Sequence, residues 1–135
     1  MNEPCYYRIS VKGIAIDKDG RILLSRGDNG WWDMLGGGLE HEEDPFTCLK
    51  REIHEEAGLI VTSISANPKY FTASRRLGHD SYIANAIYEI ELASLDFVPS
   101  TECQELRFFS TEEMRHVELV PTVQKLREIL LAQSQ

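Results

Sequence analysis

The sequence contains no hydrophobic run long enough to cross a membrane. A transmembrane helix needs about 20 consecutive apolar residues, and charged residues, which make up 27% of this chain, interrupt every apolar stretch before that length. Residues 1–7 also lack the basic segment followed by an apolar stretch that is typical of a secretory signal. We therefore expect a cytoplasmic protein without a membrane partner.

Positive charge is also scarce. The chain has 14 Lys and Arg against 22 Asp and Glu, which gives a formal net charge of −8. Proteins that bind nucleic acids usually carry a basic face that displaces counterions from the phosphates, so we do not expect a nucleic acid polymer as a partner. A small anion remains compatible with this charge if metal ions neutralise the local carboxylates.

Cysteines are few, and no linker divides the chain. Cys5, Cys48 and Cys103 are far apart and form no CxxC pair, which argues against a zinc or redox motif. We expect reduced, partly buried thiols. Because 135 residues without repeats or a Pro/Gly/Ser-rich segment suit one domain, residues 1–135 are predicted to form a single domain.

The segments that are present predict a mixed α/β fold. Alternating or β-branched stretches predict strands at residues 8–17, 21–25, 60–65, 70–73, 82–92 and 105–109. Asp19-Gly20 is a turn signal that predicts a hairpin between the first two strands. Ser110 is expected to cap a short helical turn, and Pro121 to open a helix that ends near Ala132. Strands interleaved with two main helices indicate an α/β sandwich with a mixed sheet.

The other helix carries the most informative pattern. Asp44 as N-cap, Pro45 at the first helical position and Gly58 as the stop predict a helix over residues 45–57. Its apolar side is predicted to consist of Phe46, Leu49, Ile53 and Ala57. Glu52, Glu55 and Glu56 fall on a neighbouring stripe of the same helix.

Three glutamates on one stripe allow two interpretations. They repel one another and lie near the helix C-terminus, where the macrodipole disfavours anions. The stripe is either a solvated acidic face or the ligand set of a divalent cation, which would reverse both penalties. Gly36-Gly37-Gly38 shortly before the helix favours the second interpretation, since glycines let the backbone approach a metal ion or a phosphate.

Residues 37–59 resemble the signature of the Nudix hydrolase family at every defined position. The matching residues are Gly37, Glu43, Arg51, Glu52, Ile53, Glu55, Glu56, Gly58 and Leu59. The resemblance implies a three-layer α/β/α sandwich with a mixed β-sheet. It also implies a metal-dependent hydrolase that cleaves the diphosphate linkage of a nucleoside diphosphate derivative, and the family often forms homodimers.

The same resemblance implies roles for individual residues. Glu52, Glu55 and Glu56, with the carbonyl of Gly36, would bind Mg²⁺ or Mn²⁺. Either Glu52 or Glu56 would act as the general base within the box, and some relatives use a later glutamate. Glu102 and Glu105 are the candidates for that later glutamate, of which we prefer Glu105 because it opens a strand similar to one in the family.

Supporting and substrate-binding residues follow from the same comparison and from residue chemistry. Arg51 is expected to pair with Glu43 and to fix the geometry of the catalytic carboxylates, and Glu43 to support the loop. The candidates for an aromatic that stacks on the base are Trp31, Trp32, Tyr70 and Phe71, of which we choose Trp32. Further substrate contacts are expected from Gly37 and Gly38 and from phosphate-binding arginines. The arginines chosen are Arg26 and Arg75. Arg76 and His79 are further candidates for phosphate contact.

Two departures from the family pattern and one alternative function remain. Leu35 stands where many members have Pro, and Glu42 where Gly is frequent. Because degenerate members of the fold can act as nucleotide sensors without catalysis, a non-catalytic regulatory module is the alternative. Degenerate members usually lose glutamates of the box, whereas this chain keeps all of them, which favours the enzyme.

Overall fold

A computed structural model describes residues 3–134 of the chain. Met1, Asn2 and Gln135, which belong to the single domain predicted over 1–135, lie outside the described residues. No helix in the described part has the length and hydrophobicity needed to cross a bilayer.

The described chain consists of strands, two α-helices and one 3-10 turn. The strands are β1 (Arg8–Ile14), β2 (Ile22–Arg26), β3 (Trp32–Asp33), β4 (Leu35–Gly38), β5 (Val61–Ile64), β6 (Tyr70–Arg75), β7 (Tyr82–Leu92) and β8 (Glu105–Phe109). The helices are α1 (Pro45–Ala57) and α2 (Pro121–Gln133), and the 3-10 turn spans Glu113–His116. Helix α1 has the predicted bounds, because Asp44 accepts the N–H of Thr47 and Gly58 adopts the left-handed conformation.

The main sheet is mixed, as predicted. Strand β1 pairs in parallel with β7 on one side and antiparallel with β4 on the other. Beyond β7, strands β6 and β5 pair antiparallel with successive parts of that long strand. Strands β3, β2 and β8 form a second, antiparallel sheet.

The two helices cover opposite faces of the main sheet, which confirms the three-layer α/β/α sandwich. On one face, Leu49 and Ile53 of α1 pack in a core with Val11 and Ile90. On the other face, Val123 and Leu126 of α2 pack in a second core that includes Ile14, Ile87 and Phe109. Burial of apolar side chains on both faces is what holds the layers together.

The predicted hairpin between the first two strands forms only next to its turn. Strand β1 ends at Ile14, and beyond it Ile16 forms an isolated antiparallel bridge with Ile22, flanked by hydrogen bonds from the N–H of Asp17 to the carbonyl of Arg21 and from the N–H of Leu23 to the carbonyl of Ala15. Both edges of β1 are already paired, with β4 and β7. Strand β2 therefore turns away and pairs with β8.

The apolar side of α1 was also predicted with one error. Leu49, Ile53 and Ala57 are fully buried, but Phe46 is 41% exposed. The Phe46 ring meets Tyr88 edge to face at the margin of the core, with 5.7 Å between ring centroids. Cys48 takes the buried position in the first turns of the helix.

The end of α1 gives a stability test. Gly58 has a φ of 67°, and a Cβ there would lie 3.0 Å from Cγ2 of Val98, whereas Gly20 has a φ of 80° and open space around it. We expect Gly20→Ala to cost about 1–2 kcal/mol of unfolding free energy from the left-handed backbone alone, and Gly58→Ala to cost more because Val98 must also move. Urea unfolding of both variants measures this difference, and equal losses would contradict it.

Candidate active site

The close contact between α1 and the glycine strand β4 builds the site. Glu56, near the C-terminal end of α1, is only 7% exposed. Its Oε1 accepts the backbone N–H of Gly36 at 2.6 Å. Burial raises the pKa of Glu56 to about 8, although the positive charge of Lys12 and the Gly36 N–H act in the opposite direction.

Lys12 is the cation next to Glu56, and sequence reasoning missed it. Its Nζ donates to the carbonyls of Gly36 at 3.2 Å and Met34 at 3.3 Å, and lies 3.5 Å from Oδ2 of Asp33. Burial alone would lower the pKa of Lys12, but the charges of Asp33 and Glu56 outweigh burial and raise it. The available signal was a single lysine within an otherwise uncharged stretch, residues 9–16, that reads as a strand.

Glu52 lies one turn earlier on α1 and packs on Gly37. A Cβ at Gly37 would collide with the Glu52 carboxylate. The missing side chain at Gly37 therefore forms the cradle in which this carboxylate lies. Gly38 plays a similar role for another side chain, because a Cβ there would collide with the guanidinium of Arg8.

Arg51 joins three of the glutamates. Its Nε and Nη2 donate to both carboxylate oxygens of Glu43 at 2.7 and 2.8 Å, and its Nη1 donates to Glu52 at 3.0 Å and Glu55 at 3.3 Å. The bidentate bond from Arg51 holds the pKa of Glu43 at about 2. The structure thus brings Arg51 and Glu43 together as the resemblance implied.

The three glutamates of the predicted stripe face different surroundings. Glu56 turns to Gly36, Glu52 lies between Gly37 and Arg51, and the Glu55 side chain is 59% exposed. Within residues 3–134, no three acidic, imidazole or thiol side chains stand together in a group that could hold a metal ion. The donors around β4 are nevertheless all oxygens, namely the carboxylates of Glu52 and Glu56 and the Gly36 carbonyl, which is the chemistry that suits Mg²⁺ or Mn²⁺.

A cleft opens beside this contact. A recess of about 250 Å³ is lined by Gly36, Glu56 and Lys12, and by Trp31 and Glu102 on its other walls. The carboxylates and the lysine therefore share one solvent-accessible space with an aromatic side chain. Such a concave site with convergent polar groups is where a small ligand binds most often.

Some predicted site residues do not line this recess. Trp32 is 3% exposed and packs edge to face on Phe109, so its neighbour Trp31 is the tryptophan that faces the cleft. Arg26 donates to Glu105 at 3.3 Å, and both lie outside the recess lining. Of the two later glutamates, the structure places Glu102 in the lining and not Glu105.

Comparison with known proteins identifies the family. The sequence model of the NUDIX domain matches residues 6–132. The chain belongs to the Nudix family. It is 44% identical over 59 residues to a MutT-like protein of Streptomyces ambofaciens, a match that covers 43% of this chain and 38% of that protein. It is 29% identical over 116 residues to the NAD-capped RNA hydrolase NudC of Vibrio parahaemolyticus, which covers 82% of this chain and 42% of that protein.

A solved structure has a similar fold over nearly the whole chain. The solution structure of the E. coli ORF135 protein superposes with a TM-score of 0.73 at 25% identity, and the match covers 95% of this chain and 91% of that one. The chain spans about two fifths of the length of the two curated Nudix relatives named above.

The Arg51–Glu43 pair predicts a pH-dependent contribution to stability. The pKa of Glu43 falls from its ordinary 4.5 to about 2 on folding, so the pair stabilises the fold above pH 4.5, and its contribution is lost as the pH falls toward 2. We expect Glu43→Gln to be less stable than the wild type at neutral pH, and the gap to close on acidification. Urea midpoints across this range measure it, with the exposed Glu128→Gln as the matched control. A gap that stays constant with pH would contradict the role of the carboxylate.

Proposed function

We propose that this protein hydrolyses the diphosphate linkage of a nucleoside diphosphate derivative. The substrate is either a nucleoside diphosphate linked to another moiety or a nucleoside triphosphate. The observation that carries the proposal is the meeting of the Glu56 carboxylate and the Gly36 backbone on the floor of the cleft. The family to which the chain belongs, together with the complete set of box glutamates, supports this reading.

The proposed cofactor is Mg²⁺, for which Mn²⁺ could substitute. Glu52 and Glu56 would hold it with the Gly36 carbonyl, and the exposed Glu55 would add a ligand directly or through water. When bound, the ion neutralises the diphosphate and lowers the pKa of the attacking water. Glu52 or Glu56 would accept the proton of that water, and Arg51, which binds Glu43, holds Glu52 in position.

The names of the relatives support a nucleotide substrate. The similar proteins include the NAD-capped RNA hydrolase, an RNA pyrophosphohydrolase of Saccharophagus degradans and an 8-oxo-dGTP diphosphatase of Proteus vulgaris. All three names describe hydrolysis of a substrate that contains nucleotides, and the last two name a pyrophosphate or diphosphate. For this chain we propose a small nucleotide over a polymer, because its formal net charge is −8.

The proposal also covers the cellular compartment, for which we propose the cytoplasm, and the oligomeric state. All three cysteines are free thiols, which suits the reducing cytoplasm. The homodimer implied by the family resemblance is part of the same proposal, and light scattering on the purified protein measures it.

A panel assay tests the activity. We expect the purified protein with Mg²⁺ or Mn²⁺ to release a nucleoside monophosphate from at least one member of a panel of nucleoside diphosphate derivatives and nucleoside triphosphates. Glu56→Gln should lower turnover by about 100-fold or more, because it removes a principal negative charge at the metal.

The control for this variant is Glu128→Gln, which removes one charge from the exposed face of α2. Thermal unfolding of both variants shows that each is folded at the assay temperature. Absence of turnover across the panel would favour the non-catalytic sensor, and near-normal activity of Glu56→Gln would contradict its role.

The later glutamate is tested by a matched pair of variants. Glu102 lines the recess with Glu56, whereas Glu105 pairs with Arg26 and Arg107. We expect Glu102→Gln to lower kcat by about tenfold or more, as for a side chain that helps to move a proton, and Glu105→Gln to stay within about twofold of the wild type. A larger loss of kcat in Glu105→Gln than in Glu102→Gln would assign this role to Glu105 instead.

A further inference from the structure

A second recess continues the cleft away from Glu56. It has a volume of about 260 Å³ and shares Lys12, Asn29, Asp33 and Val120 with the first recess. The two recesses are therefore halves of one cleft, with the Lys12–Asp33 pair at the boundary between them.

The two halves carry opposite charge. The first, which we call the acidic half, is lined by four carboxylates and a single lysine; the carboxylates are Asp28, Asp33, Glu56 and Glu102. The second, which we call the basic half, is lined by Lys12, Arg75, Arg76 and His79, with Asp33 as its only carboxylate among the described residues. A basic recess is unexpected in a protein whose formal net charge is −8.

Arg76 and His79 lie on the turn that follows β6, and this turn packs against the body of the protein. The N–H of Arg76 donates to the carbonyl of Ser81 at 2.9 Å, and the N–H of His79 donates to the carbonyl of Arg76 at 3.2 Å. Gly78 permits this turn with a φ of 73°. Leu77 is partly buried against the core under α2, so the turn is anchored beside the cleft.

Arg76 is the cation that this turn leaves uncompensated. Arg75 is paired with Asp80 at 2.9 Å, and Lys12 lies 3.5 Å from Asp33. Across residues 3–134, no carboxylate lies within 4.0 Å of the Arg76 guanidinium, whose residue is partly buried. A guanidinium at a concave surface without an anionic partner is suited to bind an anion from solution, most strongly a phosphate in bidentate geometry.

The N-terminus of α2 adds positive electrostatic potential to the basic half. Pro121 and Thr122 line the basic half, and Val120, the N-cap, makes no side-chain capping bond. The amide dipoles of this helix of 13 residues therefore present partial positive charge toward the recess. The N-terminus of α2 adds to the attraction for an anion, but the inference depends on Arg76.

We propose that the basic half binds a second phosphate of the substrate, separated from the diphosphate by the nucleoside. The inference rests on the proposed function, which places the diphosphate at Glu52 and Glu56. The acidic half repels further anions, so the next phosphate along the nucleotide reaches the half where Arg76 is free. That phosphate is either the 3′-phosphate of a mononucleotide or the first internucleotide phosphate of an oligonucleotide.

Binding of a nucleoside 3′,5′-bisphosphate, compared with the matching 5′-monophosphate, tests the subsite by calorimetry in the presence of Mg²⁺. Neither ligand contains a diphosphate, so the measurement does not depend on turnover. We expect the wild type to bind the bisphosphate about tenfold more tightly, which is the size of one charge-assisted hydrogen bond. Arg76→Gln should remove that preference without loss of thermal stability, because Arg76 has no ion pair to lose.

The matched control is Arg115→Gln, which removes the same charge from an exposed arginine outside both halves of the cleft. It should keep the preference. Equal affinity of the wild type for the two ligands would overturn the inference, and so would a preference that survives in Arg76→Gln.

Turnover then distinguishes the two sources of the phosphate and separates this inference from the proposed function. A nucleoside triphosphate with a 3′-phosphate is compared with a 5′-triphosphorylated dinucleotide, and the source with the lower KM in the wild type, but not in Arg76→Gln, is the one that the subsite binds. If neither is hydrolysed but the Arg76-dependent preference in binding persists, the proposed function fails and the subsite stands.

Discussion

The close approach of α1 to strand β4 is the contact on which the site depends. The Glu56 carboxylate accepts the Gly36 N–H, and the Glu52 carboxylate lies against Gly37. Gly36 has a φ of 120°, and a Cβ there would strike the carbonyl of Val11 on the neighbouring strand. A side chain at Gly37 would push the helix away from β4, and one at Gly36 would push β4 away from β1. The glutamates of α1 reach the strand only because these two positions have no side chain.

Two cations partly offset the negative charge at this contact. A buried carboxylate costs free energy unless it is paired and hydrogen-bonded; the charge of Lys12 and the Gly36 N–H offset part of that cost at Glu56, although burial still raises the pKa of Glu56. Arg51 does the same for the opposite side of the site, where it binds Glu43 and Glu52 together. A helix selected only for stability would place an apolar residue at position 56, so the buried Glu56 supports the proposed role as a metal ligand.

The sequence predicted features that depend on neighbouring residues and missed those that depend on distant ones. The bounds of α1 follow from Asp44, Pro45 and Gly58, which act within one turn of the helix ends, and the box spacing follows from the helix period. The hairpin forms only beside its turn, because its extent depends on pairing partners elsewhere in the chain: β1 is occupied by β4 and β7, which no local pattern shows. The same reason explains why Lys12 was missed, since its three oxygen partners all lie more than 20 residues away along the chain.

The formal net charge of the whole sequence did not predict the electrostatic potential inside the cleft. A formal net charge of −8 describes the potential far from the protein, but salt screens charges beyond about 8 Å at physiological ionic strength. Within the cleft, the potential is set by the side chains that line it. The acidic and basic halves differ in sign although they share Lys12 and Asp33. A ligand with anionic groups at two separated points can therefore be held in one direction along the cleft. Under the proposed function, metal ions would link its diphosphate to the glutamates, and Arg76 would contact its other end.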